Sequence, residues 1–146
     1  TKVFMAKHFE HNVRVYYEDT DAGGIVYYAN YLKYLERART EMIRSLGTNH
    51  NILMDKYGLQ IVVVHLDIAF KKSAYLENHL IVKTELKSLS AVKLEMKQTV
   101  FLVDCWTTKK NEQLLVEAKV ILASVNKQGK PSKMPVAVME LFKSCL

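Results

Sequence analysis

The chain has 146 residues, 49% of them hydrophobic and 25% charged, with a formal net charge of +6. That length fits one domain, and that balance can bury a core, which excludes disorder as the main state; no apolar run approaches the ~18 residues of a membrane span. The charge is uneven: up to Val64 eight Lys/Arg face seven Asp/Glu, whereas from His65 onward thirteen lysines face eight acids.

Residues 1–12 read as an N-terminal extension without the apolar stretch of a secretory signal. In 13–19, Val13, Val15 and Tyr17 alternate with Arg14, Tyr16 and Glu18, which predicts a strand. Asp19-Thr20-Asp21-Ala22-Gly23-Gly24 ends it, because Asx residues and paired glycines allow a sharp turn and close backbone approach to a ligand. From about Asn30 to Leu46 the period becomes helical, with Tyr31, Leu35, Ala38, Met42 and Leu46 recurring at spacings of three and four. Asn30 is the expected N-cap and Gly47 the stop, and Arg37 and Glu41, one turn apart, are expected to pair on the exposed side.

A short helical piece over 51–57 follows, and then two-residue alternation predicts four strands. They cover 60–71 (Val62, Val64, Leu66, Ile68 and Phe70 on one face), 79–88, 92 to about 106, and 113–125, with turns at 88–91 and 109–112. Pro135 opens a short helix in the C-terminal tail, 134–146, as its first-turn residue. Strand, glycine loop, long helix and antiparallel strands make an α+β domain with the helix on the apolar face of the sheet. The second, amphipathic face is left to solvent or another subunit.

No G-x-G-x-x-G, Walker loop or nucleophile elbow is present, and the five histidines show no zinc spacing. No cofactor or metal is expected. The two cysteines, Cys105 in a strand and Cys145 in the tail, form no redox pair and carry no local cue for a lowered thiol pKa. Cysteines of this kind point to a reducing cytoplasm.

The concentrated signal is the stretch from Tyr16 to Tyr31, where carboxylates and glycines precede a helix whose first amides are unpaired. Such a helix start favours an anion or a developing oxyanion, and a carboxylate beside it could act on a carbonyl held there. Taken alone, the spacing favours a plainer account, in which Asp19 and Asp21 only make Asx turns and Tyr27, Tyr28, Tyr31 and Tyr34 are core aromatics.

The segment Val13-Arg14-Val15-Tyr16-Tyr17-Glu18-Asp19-Thr20-Asp21 through Glu36-Arg37-Ala38-Arg39 strongly resembles the hotdog-fold acyl-CoA thioesterases of the 4-hydroxybenzoyl-CoA thioesterase type. Within that type it is most similar to the YbgC subgroup, associated in many bacteria with the Tol–Pal envelope system. The order of elements matches over essentially the whole chain. The resemblance implies an antiparallel sheet wrapped around a long central helix, a homodimer or homotetramer joined through sheet edges, and active sites at the dimer interface. It puts the catalytic carboxylate on Asp21 and the main-chain N–H that polarises the thioester carbonyl on Tyr28, with Gly24 and Tyr27 as substrate contacts. The subgroup usually has a histidine where this chain has Tyr28; an imidazole role is lost there, while the main-chain donor remains.

The implied substrate is an acyl-CoA. Its phosphates call for basic neighbours, and Lys71, Lys72, Lys87 and Lys93, at strand ends or turns, are candidates, with Lys71 and Lys93 foremost. The alternative function is a non-catalytic module binding acyl groups or acyl carrier protein, which needs no Asp21. Nucleic acid is not an expected partner, because the lysines alternate with Glu85, Glu95 and Glu117 and no aromatic RNA motif accompanies them.

Overall fold

The computed structural model of the protein describes residues 8–146. Strand β1, Phe9–Arg14, leads through a 3₁₀ turn at Tyr17–Asp19 and the glycine loop into helix α1, Asn30–Ser45. Helix α2, His50–Tyr57, precedes strands β2, Gln60–Phe70; β3, His79–Leu89; β4, Lys93–Val103; and β5, Gln113–Val125; helix α3, Val136–Lys143, closes the chain. The five strands form one sheet in the order β1-β3-β4-β5-β2, with every neighbouring pair antiparallel.

Helix α1 packs on one face of this sheet, over β1 and β3. Its stripe of Tyr31, Tyr34, Leu35, Ala38, Met42 and Ile43 is buried, as the helical period requires. Against it lie Val13, Leu80, Val82, Leu94, Met96, Val116, Ala118 and Val120, all within one core cluster. Each fully buried aliphatic or aromatic side chain contributes about 1.5–3 kcal/mol, so this seam dominates the stability of the fold. One polar thread crosses it. Gln98, fully buried, donates through Nε2 to the Leu35 carbonyl at 3.0 Å and to Thr84 Oγ1 at 2.9 Å, and its Oε1 accepts from Arg39 at 2.9 Å. Every hydrogen-bonding group of that amide is used, which fixes the helix against β3 and β4.

The first strand lies earlier than its alternation suggests. Phe9–Arg14 pairs with β3 from Thr84 to His79, so residues 9–12 belong to the sheet, and 1–7 of the expected extension lie outside the described residues. Val15 is buried but Tyr17 is 82% exposed, because the Asp19 carboxylate accepts the Tyr16 N–H at 2.9 Å and turns the chain before alternation can continue. Asn30 is the first helical residue, not the cap; Ala29 occupies that place. Arg37 and Glu41 form no ion pair among the described residues. Pro135 precedes α3 as its N-cap and does not sit in its first turn.

Strand β2 breaks the expected parity. Its register with β5 shifts between Val63 and His65, a bulge at Val64. Ile61 faces the core before the bulge, Leu66 and Ile68 after it, and Val62, Val63 and Val64 are 36%, 46% and 54% exposed. A bulge on an edge strand twists and re-aims side chains, which simple alternation does not encode. Strand β4 likewise stops at Val103, where Asp104 N–H donates to the Lys110 carbonyl at 3.1 Å; Cys105 therefore sits in the β4–β5 turn and not in a strand.

Of the thirteen lysines after His65, Lys83, Lys87, Lys93, Lys97 and Lys119 lie in strands, and the rest are in loops, turns and α3. Glu85, Lys97, Lys119 and Asp67 share one row across β3, β4, β5 and β2. Lys97 pairs diagonally with Glu117 at 3.7 Å, Lys119 with Glu95 at 3.9 Å, and Lys87 with Glu85 at 3.5 Å. Asp67, Lys87, Glu95, Lys97, Glu117 and Lys119 line a shallow depression of about 350 Å³. These are exposed pairs worth under about 1 kcal/mol each, and they neutralise that face of the sheet locally. Among the described residues, no helix is long and apolar enough to cross a membrane.

Candidate active site

The glycine loop is a closed structure built by its own backbone. Thr20 and Val26 form an isolated antiparallel bridge, Asp21 N–H donates to the Ile25 carbonyl at 2.9 Å, and Gly24 N–H donates to the Asp21 carbonyl at 3.0 Å. The Asp21 Oδ1 accepts the Gly23 N–H at 2.8 Å, an Asx turn that orients the carboxylate. A Cβ at position 23 would stand 3.2 Å from that oxygen, and Gly24 holds φ at +80°, a conformation L residues rarely adopt. Beyond Gly24 a Cβ would meet nothing within 4 Å, so the backbone there is open to approach. Asp21 itself is exposed.

The far side of the loop is held just as firmly. Val26 N–H donates to Ala74 O at 2.9 Å and Ile25 bridges Tyr75, which ties the loop to the segment before β3. Tyr27 N–H and Asn30 Nδ2 both donate to the Asp19 carbonyl, each at 2.9 Å. In the turn that opens α1, the N–H groups of Asn30, Tyr31 and Leu32 donate to the carbonyls of Tyr27, Tyr28 and Ala29. The N–H groups of Tyr28 and Ala29 have no acceptor among the described residues. They immediately precede the positive end of a 16-residue helix, a setting that favours an oxyanion.

Aromatic rings surround this start. Tyr28 meets Tyr27 edge-on at 5.1 Å and Phe70 at 5.9 Å, and Phe70 lies 5.7 Å from the Tyr31 ring. Tyr27, Tyr28 and Phe70 are all about half exposed, whereas Tyr31 is buried and its hydroxyl accepts the Ala74 N–H at 3.2 Å. Tyr34 is buried with its hydroxyl close to Asp19 but in no well-aligned hydrogen bond; burial, then the neighbouring Asp19 carboxylate, holds its phenol far above the usual range.

Asp21, Gly24, Tyr27 and Tyr28 thus all lie on one loop that its own backbone ties together. Lys71 follows Phe70 directly, and the carbonyl at the β5 bulge, Leu115 O, accepts its N–H at 2.8 Å and that of Lys72 at 3.2 Å. Lys93 lies elsewhere. It shares a row with Ala123 and Val62, whereas Phe70 shares one with Val116 and Val100, a separation along β5 of about 23 Å at roughly 3.3 Å per residue. Two residues that sequence reasoning did not place at the site belong to its frame: Asn30, taken as a cap, and Phe70, taken as core. The only signal for Phe70 was its position immediately before Lys71-Lys72.

Cys105, outside this region, has Sγ 3.3 Å and 3.1 Å from the hydroxyls of Thr107 and Thr108. Those hydroxyls stabilise the thiolate and bring its pKa down to about 7, a local cue that the sequence reading did not detect.

Residues 15–142 match the family model of the thioesterase-like superfamily. The chain is 37% identical over 135 residues to the acyl-CoA thioesterase YbgC of Haemophilus influenzae, covering 92% of this chain and 93% of that protein. It is 35% identical over 136 residues to the acyl-CoA thioester hydrolase YbgC of Escherichia coli O6:H1, covering 92% and 96%. A probable thioesterase from Bartonella henselae has the same fold at a TM-score of 0.77 and 34% identity, over 88% of this chain and 99% of that one. A 4-hydroxybenzoyl-CoA thioesterase in complex with 4-hydroxybenzoyl-CoA superposes with a TM-score of 0.83 at 20% identity, over 93% and 99%, which shows the shared hotdog fold. With the glycine loop, the long helix and the antiparallel sheet in that arrangement, the chain belongs to the thioesterase-like superfamily and, within it, to the YbgC family of acyl-CoA thioesterases.

Proposed function

We propose that the protein hydrolyses the thioester bond of an acyl-CoA to the free acid and CoA, with Asp21 as nucleophile or general base and the Tyr28 N–H polarising the carbonyl. The observation that carries this reading is the pairing, on one self-tied loop, of an exposed carboxylate with an unpaired amide at a helix start. A thioester carbonyl is electrophilic and thiolate leaves readily, so the reaction needs only a nucleophile and a donor for the oxyanion. In one route Asp21 attacks the carbonyl, CoA thiolate departs, and water cleaves the mixed anhydride. In the other Asp21 takes a proton from water as that water attacks. In both, the Tyr28 N–H strengthens its hydrogen bond as the oxygen becomes negative, a contact worth about 3 kcal/mol. Gly24 gives the thioester room to approach, Tyr27 flanks it, and Lys71 attracts CoA phosphate.

The working form in this reading is a cytoplasmic homodimer or homotetramer. Strand β2 supports it: an edge strand with Val62, Val63 and Val64 exposed offers unpaired backbone groups to a second copy. Lys93, remote from the loop of its own chain, serves CoA in this scheme only across such an interface.

The test is thiol release from butyryl-, lauroyl-, palmitoyl- and benzoyl-CoA by the purified protein. Release from at least one of them supports hydrolysis. No release from any, together with tight binding of acyl carrier protein, would establish the non-catalytic module instead.

A further inference from the structure

We propose that Phe70 limits the length of acyl group that the site accepts, holding it to compact acyl groups. The inference rests on the thioesterase reading above and adds to it the residue that selects the substrate.

Past the bulge of β2, Leu66, Ile68 and Phe70 alternate onto the inner face of the sheet. Their partners on β5, Val120, Ala118 and Val116, are all buried in the core. Within one chain Leu66 and Ile68 are nevertheless only half-buried, because α1 lies over β1 and β3 and the short α2 is the helix that packs on β2. An apolar stripe therefore leads away from position 70 along β2.

The Phe70 ring stands at the near end of that stripe. It is edge-on to Tyr28, with centroids 5.9 Å apart and planes at 87°, and 5.7 Å from the ring of Tyr31. Tyr31 cannot readily yield: it is 3% exposed, packs edge-on with Tyr34 at 5.9 Å, and its hydroxyl holds the Ala74 amide. Tyr28 carries the amide that polarises the carbonyl in the proposed reaction. An acyl chain that starts there meets the Phe70 ring before it reaches Ile68. Short or planar acyl groups fit against the rings of Tyr27, Tyr28 and Phe70; a long flexible chain has to displace one of them. Removing the ring of Phe70 joins the carbonyl site to the stripe.

The experiment compares wild type, Phe70→Ala and the milder Phe70→Leu, each shown to be folded by circular dichroism, on butyryl-, benzoyl-, octanoyl- and lauroyl-CoA. Wild type is expected to prefer butyryl- or benzoyl-CoA. In Phe70→Ala the ratio of kcat/KM for lauroyl- over butyryl-CoA should rise about tenfold or more, since even one methylene in an apolar pocket is worth about that much, and Phe70→Leu should fall between. Calorimetric Kd values for the same ligands on Asp21→Asn, with and without Phe70→Ala, read the same selectivity without turnover. If wild type releases no thiol but the Kd ratio still shifts, the catalytic reading fails and the role of Phe70 stands. An unchanged ratio in both measurements, or a wild type that already prefers lauroyl-CoA, overturns the role of Phe70.

Discussion

The side-chain amide of Asn30 donates to the main-chain oxygen of Asp19 at 2.9 Å, joining the first residue of α1 to the residue two places before Asp21. The same oxygen accepts the Tyr27 N–H, so both ends of the glycine loop meet at one acceptor. Cutting one of these ties should loosen the loop without unfolding the sheet. Asn30→Ala is expected to cost about 1 kcal/mol of stability, the usual worth of one hydrogen bond, and to lower kcat more than it raises KM. Urea unfolding and steady-state kinetics on one preparation check both; an unaltered kcat would show that the loop keeps its shape without this bond.

Asp21→Asn preserves size and can still face the Gly23 N–H, but it cannot attack as a carboxylate or accept a proton from water. Turnover should fall by at least about 10³-fold while the melting temperature stays within a few degrees, the split expected when a group acts on the transition state alone. In single-turnover hydrolysis by wild type in ¹⁸O water, label appearing in the Asp21 carboxylate would mark the anhydride route. Label confined to the product acid is expected from general-base attack and equally from an anhydride that water opens at the acyl carbonyl, so label in Asp21 is the outcome that discriminates.

The Tyr34 hydroxyl is buried close beside the Asp19 carboxylate but forms no well-aligned hydrogen bond with it. A buried unpaired hydroxyl costs about 1–3 kcal/mol, so Tyr34→Phe should leave stability unchanged or raise it by up to about 1 kcal/mol. The midpoint of urea denaturation measures this directly. A loss above about 1 kcal/mol would mean that the hydroxyl binds Asp19 in solution.

Cys105 should be the more readily alkylated of the two cysteines near neutral pH. Its pKa is lowered to about 7, so the thiolate population, and with it the rate of iodoacetamide modification, should climb through pH 7 and level off above about pH 8. Thr108→Val removes one stabilising hydroxyl and should move that profile to higher pH. Mass spectrometry of tryptic peptides distinguishes Cys105 from Cys145. A rate still rising steeply at pH 9 would show that the two threonines do not hold the thiolate.

Much of the fold was legible as periodicity. The helix from Asn30, the strand at 113–125 and the short helix before Gly58 appear where their apolar spacing and glycines put them, because a buried face imposes its period on the sequence. The loop around Asp21 was legible too, as Asx residues and glycines whose backbone geometry few other residues allow. Three features were not. The bulge at Val64 reverses the parity of β2, the carboxylate of Asp19 ends the first strand early, and Asn30 reaches back to Asp19 where capping its own helix was expected. Each depends on a partner that one-dimensional spacing does not contain.

The sequence by itself determined the elements, the candidate carboxylate and the family, since local propensity, turn chemistry and a long motif all act over short stretches of chain. Only the tertiary structure decided which side chains surround the start of the long helix. It set Phe70 against Tyr28 and Tyr31, put Lys93 at the far end of the sheet, and paired Lys87, Lys97 and Lys119 with neighbouring glutamates. The reason is register: strand pairing brings together residues far apart in the chain, and a single bulge moves every side chain beyond it to the other face.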